Sequence, residues 1–464
     1  MQRWATRGPR PLGTGSGPDF VRRTLNLSSP RRAAHEEPKL PATERRLSSF
    51  RLLPPSATPD ARRLLLTRAL RGFADGVVSV LLASYLTALD FSPVQVGAIV
   101  TGTLLGSAAL TLAVGLLGQR LRRRRVLLGA TALMFATGLG FVGVTAFWPL
   151  LVVAVAGTLN PSSGDVSLFL PIEQAVVAET VVGRERTAIF ARYNLAGTLA
   201  GAFGALVSGV PVLLARRQGW DVAAAQRSGF ALYAGVALIV ALLYRGLSPR
   251  IEIAHMGGKA APLAESRGIV LRLAAVFSLD AFGGGFVVQS LLALWLFKRF
   301  DLPVATAGAV FFAAGLLAAC SQLLSSPVAA RFGLINTMVY THLPSNILLV
   351  VAAVMPTAPL AITFLLLRMC LSQMDVPPRQ AYVMSVVAPA ERAAAASVTN
   401  VPRSLAAASA PLLAGLLLSH SSVGWPLICG GVLKAIYDAL LLALFRRHRP
   451  PEEATEPTSP LAGA

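Results

Sequence analysis

The chain has 464 residues, of which 54% are hydrophobic and only 14% carry a charge. Soluble domains average about 25% charged residues, so the composition argues against a soluble protein and favours a membrane protein. The formal net charge of +20 is compatible with nucleic-acid binding, but the arginines cluster in the tails and in short segments between apolar runs. We therefore predict no nucleic-acid partner.

The N-terminal segment, residues 1–62, is rich in Pro, Ser and Arg and has no apolar periodicity. Such a composition buries too little apolar surface to fold, so we predict a disordered, basic cytoplasmic tail. No short apolar core with a small-residue cleavage site precedes the first long apolar run, which argues against a cleavable signal. A tail that binds anionic lipid headgroups is the functional alternative.

Long apolar runs dominate the rest of the chain. A run of about 20 apolar residues crosses a bilayer, and we count about twelve such runs. The sequence therefore predicts an all-α membrane protein with about twelve transmembrane helices. The predicted spans are residues 64–88, 94–117, 126–147, 150–179, 187–215, 228–244, 268–296, 303–326, 334–355, 358–387, 392–418 and 424–445.

The placement of arginine predicts the orientation. With twelve spans, the N-terminal tail, "RLRRRRV" (120–126), "GRER" (183–186) and the C-terminal "FRRHRP" all fall on one side. Lys and Arg are enriched in cytoplasmic loops, so we expect both termini in the cytoplasm and the chain in the cytoplasmic (inner or plasma) membrane. Two predicted outer loops, with "ARRQGWD" and "FKRFD", depart from this rule.

The chain contains an internal repeat. "PIEQAVVAETVVGRERTAIFARYN" (171–194) resembles "PPRQAYVMSVVAPAERAAAASVTN" (377–400), and four polar residues recur at an offset of 206. They are Gln174, Glu185, Arg186 and Asn194, matched by Gln380, Glu391, Arg392 and Asn400. We therefore predict two six-helix bundles, 63–246 and 267–446, with a cytoplasmic linker over 247–266 and a disordered tail over 447–464.

A second correspondence lies earlier in each half. Gly97 and Arg120 recur at Gly308 and Arg331, at an offset of 211. Parallel six-span repeats are typical of one large transporter architecture. The predicted fold is thus pseudo-symmetric.

One segment between spans 2 and 3 resembles a family motif. "GLLGQRLRRR" (115–124) is similar to the Gly-x-x-x-Asp-Arg-x-Gly-Arg-Arg motif of the major facilitator superfamily, with Gln119 at the Asp position. In the second half "PVAARFG" (327–333) keeps the Arg and the Gly. With the duplication, these residues make 64–446 resemble a secondary transporter of that superfamily. The glycine-rich stretch of span 5 loosely resembles a motif found in the same span of the drug/proton antiporters of that superfamily.

The resemblance implies a cytoplasmic gate. In the family, the motif Asp helps to lock the cytoplasmic side through charge contacts, which a Gln does not make. The gate residues implied here are Gly115, Gln119, Arg120, Arg123, Arg124, Glu185, Arg186, Asn194, Arg331, Gly333, Glu391, Arg392, Asn400 and Arg403.

The resemblance also implies a central cavity lined by spans 1, 4, 7 and 10. These spans carry most of the ionisable residues in the predicted membrane segments, whereas spans 2, 3, 6, 8 and 9 carry none. An ionisable group at a helix centre costs at least a few kcal/mol, so its presence suggests function. The candidate substrate and proton residues are Arg71, Asp75, Asp165, Glu173, Asp280, Arg368, Asp375 and Arg379.

Several of these residues also have a structural interpretation. Asp75 lies one helical turn from Arg71, which could neutralise it. Because a low-dielectric cavity favours the neutral acid, Asp75 could instead bind and release a proton. Arg368 could bind an anionic substrate or pair with Asp375.

Two further pairs follow from position alone. Glu173 and Arg379 occupy equivalent places in the two halves and could meet across the cavity. In span 12, Lys434 and Asp438 have i, i+4 spacing, which suggests a self-neutralised pair. Neither pair has a functional assignment from the sequence.

No nucleotide-binding, nucleophile or metal motif is present, so we predict neither an enzyme nor a cofactor or metal site. The sequence favours a secondary transporter that exports a small organic molecule or drug by alternating access, coupled to protons. Proton-coupled uptake of an organic anion is the alternative, and a non-transporting receptor or scaffold is a third. The expected partners are a small-molecule substrate, protons and the lipid bilayer, with function as a monomer.

Overall fold

The computed structural model describes residues 58–117, 122–161, 167–179, 185–256, 265–387 and 391–446. Most of the predicted N-terminal tail and the whole predicted C-terminal tail lie outside these residues. So do three of the predicted site residues, Gln119, Arg120 and Asp165. Among the described residues, ten helical segments are long and apolar enough to cross a membrane.

The first half of the described chain is helical and starts at a capped end. The side chain of Thr58 accepts a hydrogen bond from the Ala61 amide, which begins the first helix at Pro59. The helices are α1 (Pro59–Ala88), α2 (Pro93–Leu117), α3 (Arg123–Gly143), α4 (Phe147–Ala156), α5 (Leu170–Glu179), α6 (Glu185–Val207), α7 (Val210–Gln218) and α8 (Val222–Arg245). A 3-10 helix, Pro249–Met256, follows in the predicted linker.

The second half repeats this order. Its helices are α9 (Arg267–Gly285), α10 (Gln289–Phe300), α11 (Val304–Phe332), α12 (Leu334–Val354), α13 (Ala358–Met369), α14 (Val376–Ser385), α15 (Arg392–His420) and α16 (Trp425–Phe445). The helices end at Arg245 and resume at Arg267, so the predicted boundary between the halves coincides with helix ends. The all-α membrane fold predicted from the sequence is confirmed.

Spans 4 and 10 are broken, which corrects the continuous helices predicted over 150–179 and 358–387. Span 4 consists of α4 and α5, and span 10 consists of α13 and α14. Each second segment contains proline close to its start, Pro171 in α5 and Pro377–Pro378 in α14. Proline lacks a backbone donor and clashes with the preceding turn, so it interrupts a continuous helix.

Span 7 is also broken, at its glycine-rich segment. α9 ends at Gly285 within "FGGGF", and α10 begins at Gln289. A Cβ atom on Gly285 would lie 2.2 Å from the Ala407 carbonyl oxygen of α15. The glycine is needed because the two backbones meet at this point.

The glycine-rich stretch of span 5 forms a packing seam against α1. A Cβ atom on Gly76 would lie 2.0 Å from the Gly201 carbonyl oxygen, and one on Gly204 would lie 2.0 Å from that of Phe73. Small residues allow such close helix approach in membranes. These glycines are therefore packing residues.

The two halves join at one end of the bundle. Gly97 of α2 meets Gly415 of α15, and Gly308 of α11 meets Ala205 of α6. The Ser290 hydroxyl donates to the Pro161 carbonyl at 3.0 Å. Within the described ranges, these contacts lie at the end opposite the linker.

The polarity of the bundle suits a bilayer. Large apolar side chains are exposed on its outside, among them Trp148, Val152 and Leu242. Ionisable residues such as Arg71, Glu173 and Asp280 are buried inside. Buried membrane charges need partners, and these define the candidate site.

Candidate functional site: buried charge networks in the two halves

Glu173 is the centre of a buried network in the first half. Its carboxylate is fully buried and accepts hydrogen bonds from the Thr67 hydroxyl at 2.8 Å and the Tyr244 hydroxyl at 2.5 Å. It also accepts hydrogen bonds from the Arg71 guanidinium and the Tyr193 hydroxyl. Together these donors join α1, α5, α6 and α8. One arginine and three hydroxyl donors thus satisfy this buried carboxylate.

Arg71 is held from two sides. Its guanidinium pairs with Glu173 and lies over the ring of Phe169, with 4.2 Å from the guanidinium carbon to the ring centroid. A desolvated cation over an aromatic face is attracted by the ring quadrupole. The broken span 4 places both Phe169 and Glu173, so the break brings these partners to Arg71.

Asp75 has a different environment. It lies one turn beyond Arg71 and is only 7% exposed. Arg71 forms its ion pair with Glu173. The ion pair between Arg71 and Asp75 that the i, i+4 spacing suggested is therefore not formed. Within the described ranges, Asp75 accepts no hydrogen bond, which leaves its carboxylate available.

The second half contains a larger network around Asp280 of α9. One carboxylate oxygen accepts a hydrogen bond from the Lys434 ammonium at 2.6 Å, and the other accepts one from the Arg379 guanidinium at 3.0 Å. Arg379 also pairs with Asp375 at 3.3 Å. The network thus ties span 7 to the broken span 10 and to span 12.

The two networks use equivalent spans with exchanged charges. In the first half the arginine lies on span 1 and the carboxylate on span 4, as Arg71 and Glu173. In the second half the carboxylate lies on span 7 and the arginine on span 10, as Asp280 and Arg379. Glu173 and Arg379 therefore do not pair across the cavity, contrary to expectation, because each closes the network of its own half.

Lys434 and Asp438 do not neutralise each other, which corrects the prediction for span 12. Lys434 pairs with Asp280, whereas Asp438 contacts the His342 Nδ1 atom at 2.9 Å. Asn346 donates a second hydrogen bond to Asp438 at 2.9 Å. His342 was not among the predicted site residues, because span 9 contains no Asp, Glu, Lys or Arg. A lone histidine in a long apolar run was the available signal.

Among the described residues, Arg68 and Arg368 are two of several arginines that have a buried guanidinium N–H group without an acceptor. Arg68 is 7% exposed, and its guanidinium lies over Tyr193 at 5.6 Å. Arg368 is partly buried and reaches only the Met369 sulfur, at 3.6 Å. The Nε atom of each is buried and has no hydrogen-bond partner. Unpaired guanidinium donors are suited to carboxylate or phosphate groups.

Several predicted gate residues take part in contacts that cap helix N-termini. The Arg123 and Arg124 amides donate to the Glu252 carboxylate at 2.9 and 3.0 Å, at the start of α3. The Glu391 carboxylate accepts from the Glu265 and Ser266 amides at 3.0 Å each, at the start of α9. A carboxylate at a helix N-terminus accepts hydrogen bonds from the free backbone amides there, and its negative charge is favoured by the helix dipole.

The other gate residues lie at helix ends or in α6 and α15. Arg331 is exposed at the end of α11, and Gly333 follows it with a φ of +82°. Asn194 and Arg403 are partly buried, and Asn400 is exposed. Gly115, Glu185, Arg186 and Arg392 lie in described helices, at positions where the side chains fall outside the description. Their gating role stays a prediction.

Removing the cap at α9 should cost a measurable amount of stability. We expect Glu391→Gln to lower the free energy of unfolding by about 1 kcal/mol, because two amides lose their charged acceptor. SDS titration of the purified protein measures this change. Glu265→Gln is the matched control, since that side chain is exposed and should change stability by less than about 0.5 kcal/mol. Equal effects of the two substitutions would contradict the capping role.

Sequence comparison identifies the family. The family model described as Major Facilitator Superfamily matches residues 64–374 and 281–463. The uncharacterized membrane protein YJR124C of Saccharomyces cerevisiae is 27% identical over 426 residues, covering 84% of this chain and 94% of the relative.

Solved structures share the fold. A bacterial homolog of the human lysosomal transporter Spinster, in an inward-facing and unoccupied conformation, has a TM-score of 0.65 at 14% identity, covering 84% of this chain and 97% of its own. The nucleoside transporter NupG has a TM-score of 0.64 at 14% identity, covering 84% and 100%. The xylose transporter XylE of E. coli, in an inward-open conformation, has a TM-score of 0.65 at 15% identity, covering 82% and 95%.

The chain is an all-helical, multi-pass membrane protein. It belongs to the Major Facilitator Superfamily. It is therefore a secondary transporter of that superfamily and not an enzyme, as the sequence predicted.

Proposed function

We propose that this transporter exports a small organic molecule or drug in exchange for protons, by alternating access. Its site would lie between the two halves near the bilayer midplane. We further propose that it works as a monomer in the cytoplasmic membrane, with both termini in the cytoplasm. The observation that carries the proposal is the pair of broken spans, 4 and 10, each attached to a buried charge network.

Breaks at corresponding positions of two repeats are a strong pointer to a transport site. A broken helix exposes backbone groups and positions side chains at membrane depth, where a continuous helix does not. Here Glu173 follows the break in span 4, and Arg379 follows the break in span 10. Each network ties the segment after the break to other spans of its own half.

The contacts between the halves support alternating access. They include the Gly97–Gly415 and Gly308–Ala205 approaches, all at the end opposite the linker. Halves that touch at one end can rock about a central site, and exchange of the contacts to the other end opens the opposite side. The proposed orientation makes the present conformation open to the cytoplasm.

Protons are the favoured coupling ion. Asp75 is buried, lies on the cavity-lining span 1 and accepts no hydrogen bond from the described residues. A carboxylate in such a place can take up a proton without first breaking an ion pair. Asp280 belongs to a paired network, so its protonation would change the contacts between spans 7, 10 and 12.

Transport in proteoliposomes tests the proposal. A pH gradient is imposed, a pH-sensitive dye is enclosed, and ethidium, D-xylose, uridine and benzoate are added one at a time. We expect compound-dependent proton movement, reduced by at least about ten-fold in Asp75→Asn or in Asp280→Asn. Unchanged coupling in both variants would transfer the proposed role to Asp165, Glu173 and Asp375.

Absence of proton movement with every compound would overturn proton coupling. Movement of a compound without protons would then point to sodium coupling or facilitated diffusion. No movement of any kind would favour the third reading, a receptor or scaffold on a transporter fold.

Uptake of an organic anion is a second candidate, favoured by the unpaired N–H groups of Arg68 and Arg368. These groups would donate hydrogen bonds to a carboxylate or phosphate of the substrate. Benzoate-dependent proton entry, lost in Arg68→Gln and Arg368→Gln, would support uptake over drug export. Ethidium-dependent proton movement that both variants retain would exclude this candidate.

A further inference from the structure

We propose that the His342–Asp438 pair carries the coupling proton in the second half, with Asp280 as the group that exchanges it with the transport site. This inference rests on the proposed proton coupling. The pair lies between α12 and α16, and neither of its residues is among those to which the family resemblance assigned a role. It is carried by a difference between Asp438 and the other buried carboxylates.

Asp438 is a fully buried carboxylate with which no lysine or arginine pairs among the described residues. Glu173 pairs with Arg71, and Asp280 pairs with Arg379 and Lys434. Both carboxylates therefore have cationic partners. The contacts of Asp438 are His342 Nδ1, at 2.9 and 3.1 Å from its two oxygens, and the neutral Asn346 amide. An isolated buried charge is strongly unfavourable. The pair is therefore stable with one shared proton, held either as imidazolium and carboxylate or as imidazole and acid.

The same imidazole faces a second carboxylate. His342 Nε2 lies 3.7 Å from Asp280 Oδ1, the oxygen that also accepts from Lys434. Each ring nitrogen thus points to a carboxylate oxygen. A neutral ring has one nitrogen without a hydrogen, and that nitrogen would face a carboxylate oxygen with no proton between the two acceptors. A protonated ring donates to Asp438 and attracts Asp280.

The geometry describes a transfer that is poised but incomplete. A distance of 3.7 Å exceeds the hydrogen-bond range of about 2.7–3.2 Å, so the step requires a closer approach of His342 and Asp280. In that step the Nε2–H bond breaks and an O–H bond forms on Asp280. The ring becomes neutral, keeps its Nδ1–H and continues to donate to Asp438. Neutral Asp280 would then weaken its ion pairs with Arg379 and Lys434.

The surrounding charges are consistent with this role. On α16, Lys434 binds Asp280, and Tyr437 packs edge-on against the imidazole at 5.7 Å between ring centroids. The remaining charged groups near the network come from the elements around it. They are Arg379 and Asp375 on span 10, Arg368 at the end of α13, and Arg403 on α15.

The cluster suits a proton better than a metal cation. The oxygens of Asp280 and Asp438 already accept hydrogen bonds from ammonium, guanidinium, imidazole and amide groups. A sodium ion needs several free oxygen ligands and would meet Lys434 and Arg379 instead. Within the described residues, no group of three or more metal-ligating side chains was found.

The approach of α9 to α16 sets the distance at which the transfer occurs. Gly283 and Gly430 are in backbone contact, since a Cβ atom on Gly430 would lie 2.8 Å from the Gly283 carbonyl oxygen. This contact brings Lys434 to Asp280. A relative movement of α9 would therefore alter the Asp280–His342 distance directly, which links the proton site to the rocking of span 7.

Two measurements test the inference. The first is proton movement per mole of transported compound in proteoliposomes, with ethidium, D-xylose, uridine and benzoate as the probes. We expect His342→Gln and Asp438→Asn to lower this ratio by at least about ten-fold. A general folding defect would lower proton and compound movement together and leave the ratio unchanged. His420→Gln is the matched control, because His420 is exposed at the end of α15.

The second measurement needs no transported compound. Infrared difference spectra are recorded on reconstituted protein for a step between about pH 5 and pH 8. We expect one imidazole change and one carboxyl change that titrate together and that both disappear in His342→Gln. A spectrum that is identical in wild type and His342→Gln would overturn the inference.

The two measurements separate the inference from the proposed function. Proton coupling in wild type with an unchanged ratio in His342→Gln would overturn the inference and leave the proposed function standing. Wild type without compound-dependent proton movement would overturn both.

Discussion

Arg71→Met is expected to lower the free energy of unfolding by about 3–5 kcal/mol, because it leaves the fully buried Glu173 carboxylate without its cation. The carboxylate would keep three hydroxyl donors, Thr67, Tyr193 and Tyr244, which cannot supply a compensating charge. SDS titration of the purified protein measures the change. The effect should be among the largest of any single substitution in the first half.

A double-mutant cycle isolates the ion pair. Glu173→Met should destabilise the protein by a comparable amount, because Arg71 becomes the uncompensated charge. The double variant should be less destabilised than the sum of the two, because no unpaired charge remains. Arg123→Met is the control, since it lies at a helix end and contacts the linker. Simple additivity of Arg71→Met and Glu173→Met would contradict the proposed pairing.

Gly308→Val is expected to shift the conformational equilibrium towards separation of the halves. A Cβ atom on Gly308 would lie 2.4 Å from the Ala205 carbonyl oxygen, about 1 Å inside normal contact. Such overpacking costs about 1–3 kcal/mol. Because the strain exists only while α6 and α11 touch, it should favour the alternative conformation by roughly 5- to 150-fold.

Spin-label distances measure this shift. Labels at Ser92→Cys and Ser422→Cys, in a background without native cysteines, report the separation of α2 from α15 at the joined end. Gly97→Val should have the same effect as Gly308→Val, because its Cβ atom would lie 2.6 Å from the Pro411 carbonyl oxygen. Gly235→Val is the matched control, since no atom lies within 4 Å of a Cβ atom there. A distance distribution unchanged by Gly308→Val would contradict the interpretation.

The equivalence of Gly97 and Gly308 gives the sequence repeat a physical meaning. The two glycines match at the offset of 211, and each lies where its half touches the other. Duplication of one six-span unit thus produced two similar contacts between the halves. A rocking movement would use both contacts together.

The exchanged charges of the two networks have a functional consequence. The first half holds the Glu173 carboxylate with an arginine and hydroxyl groups. The second half places a histidine beside its network, between Asp280 and Asp438. We therefore expect the two halves to contribute differently to proton coupling, although their backbones are duplicated.

The sequence by itself determined the class of the protein and its symmetry. Long apolar runs require helices in a bilayer, because the backbone of a membrane span must satisfy its own hydrogen bonds. Fixed offsets of 206 and 211 residues indicated the duplication, and the concentration of charges on spans 1, 4, 7 and 10 indicated where the polar interior lies. These features depend on local composition and spacing, which a sequence contains directly.

Only the tertiary structure decided which charges pair. Arg71 could pair with Asp75 by spacing, yet it pairs with Glu173, and Lys434 pairs with Asp280 instead of Asp438. Contacts within one helix are visible as i, i+4 spacing, whereas contacts between helices depend on how the breaks in spans 4, 7 and 10 turn each segment. The same holds for His342. In the sequence it is a single histidine in an apolar run, and only the tertiary structure places it between two buried carboxylates.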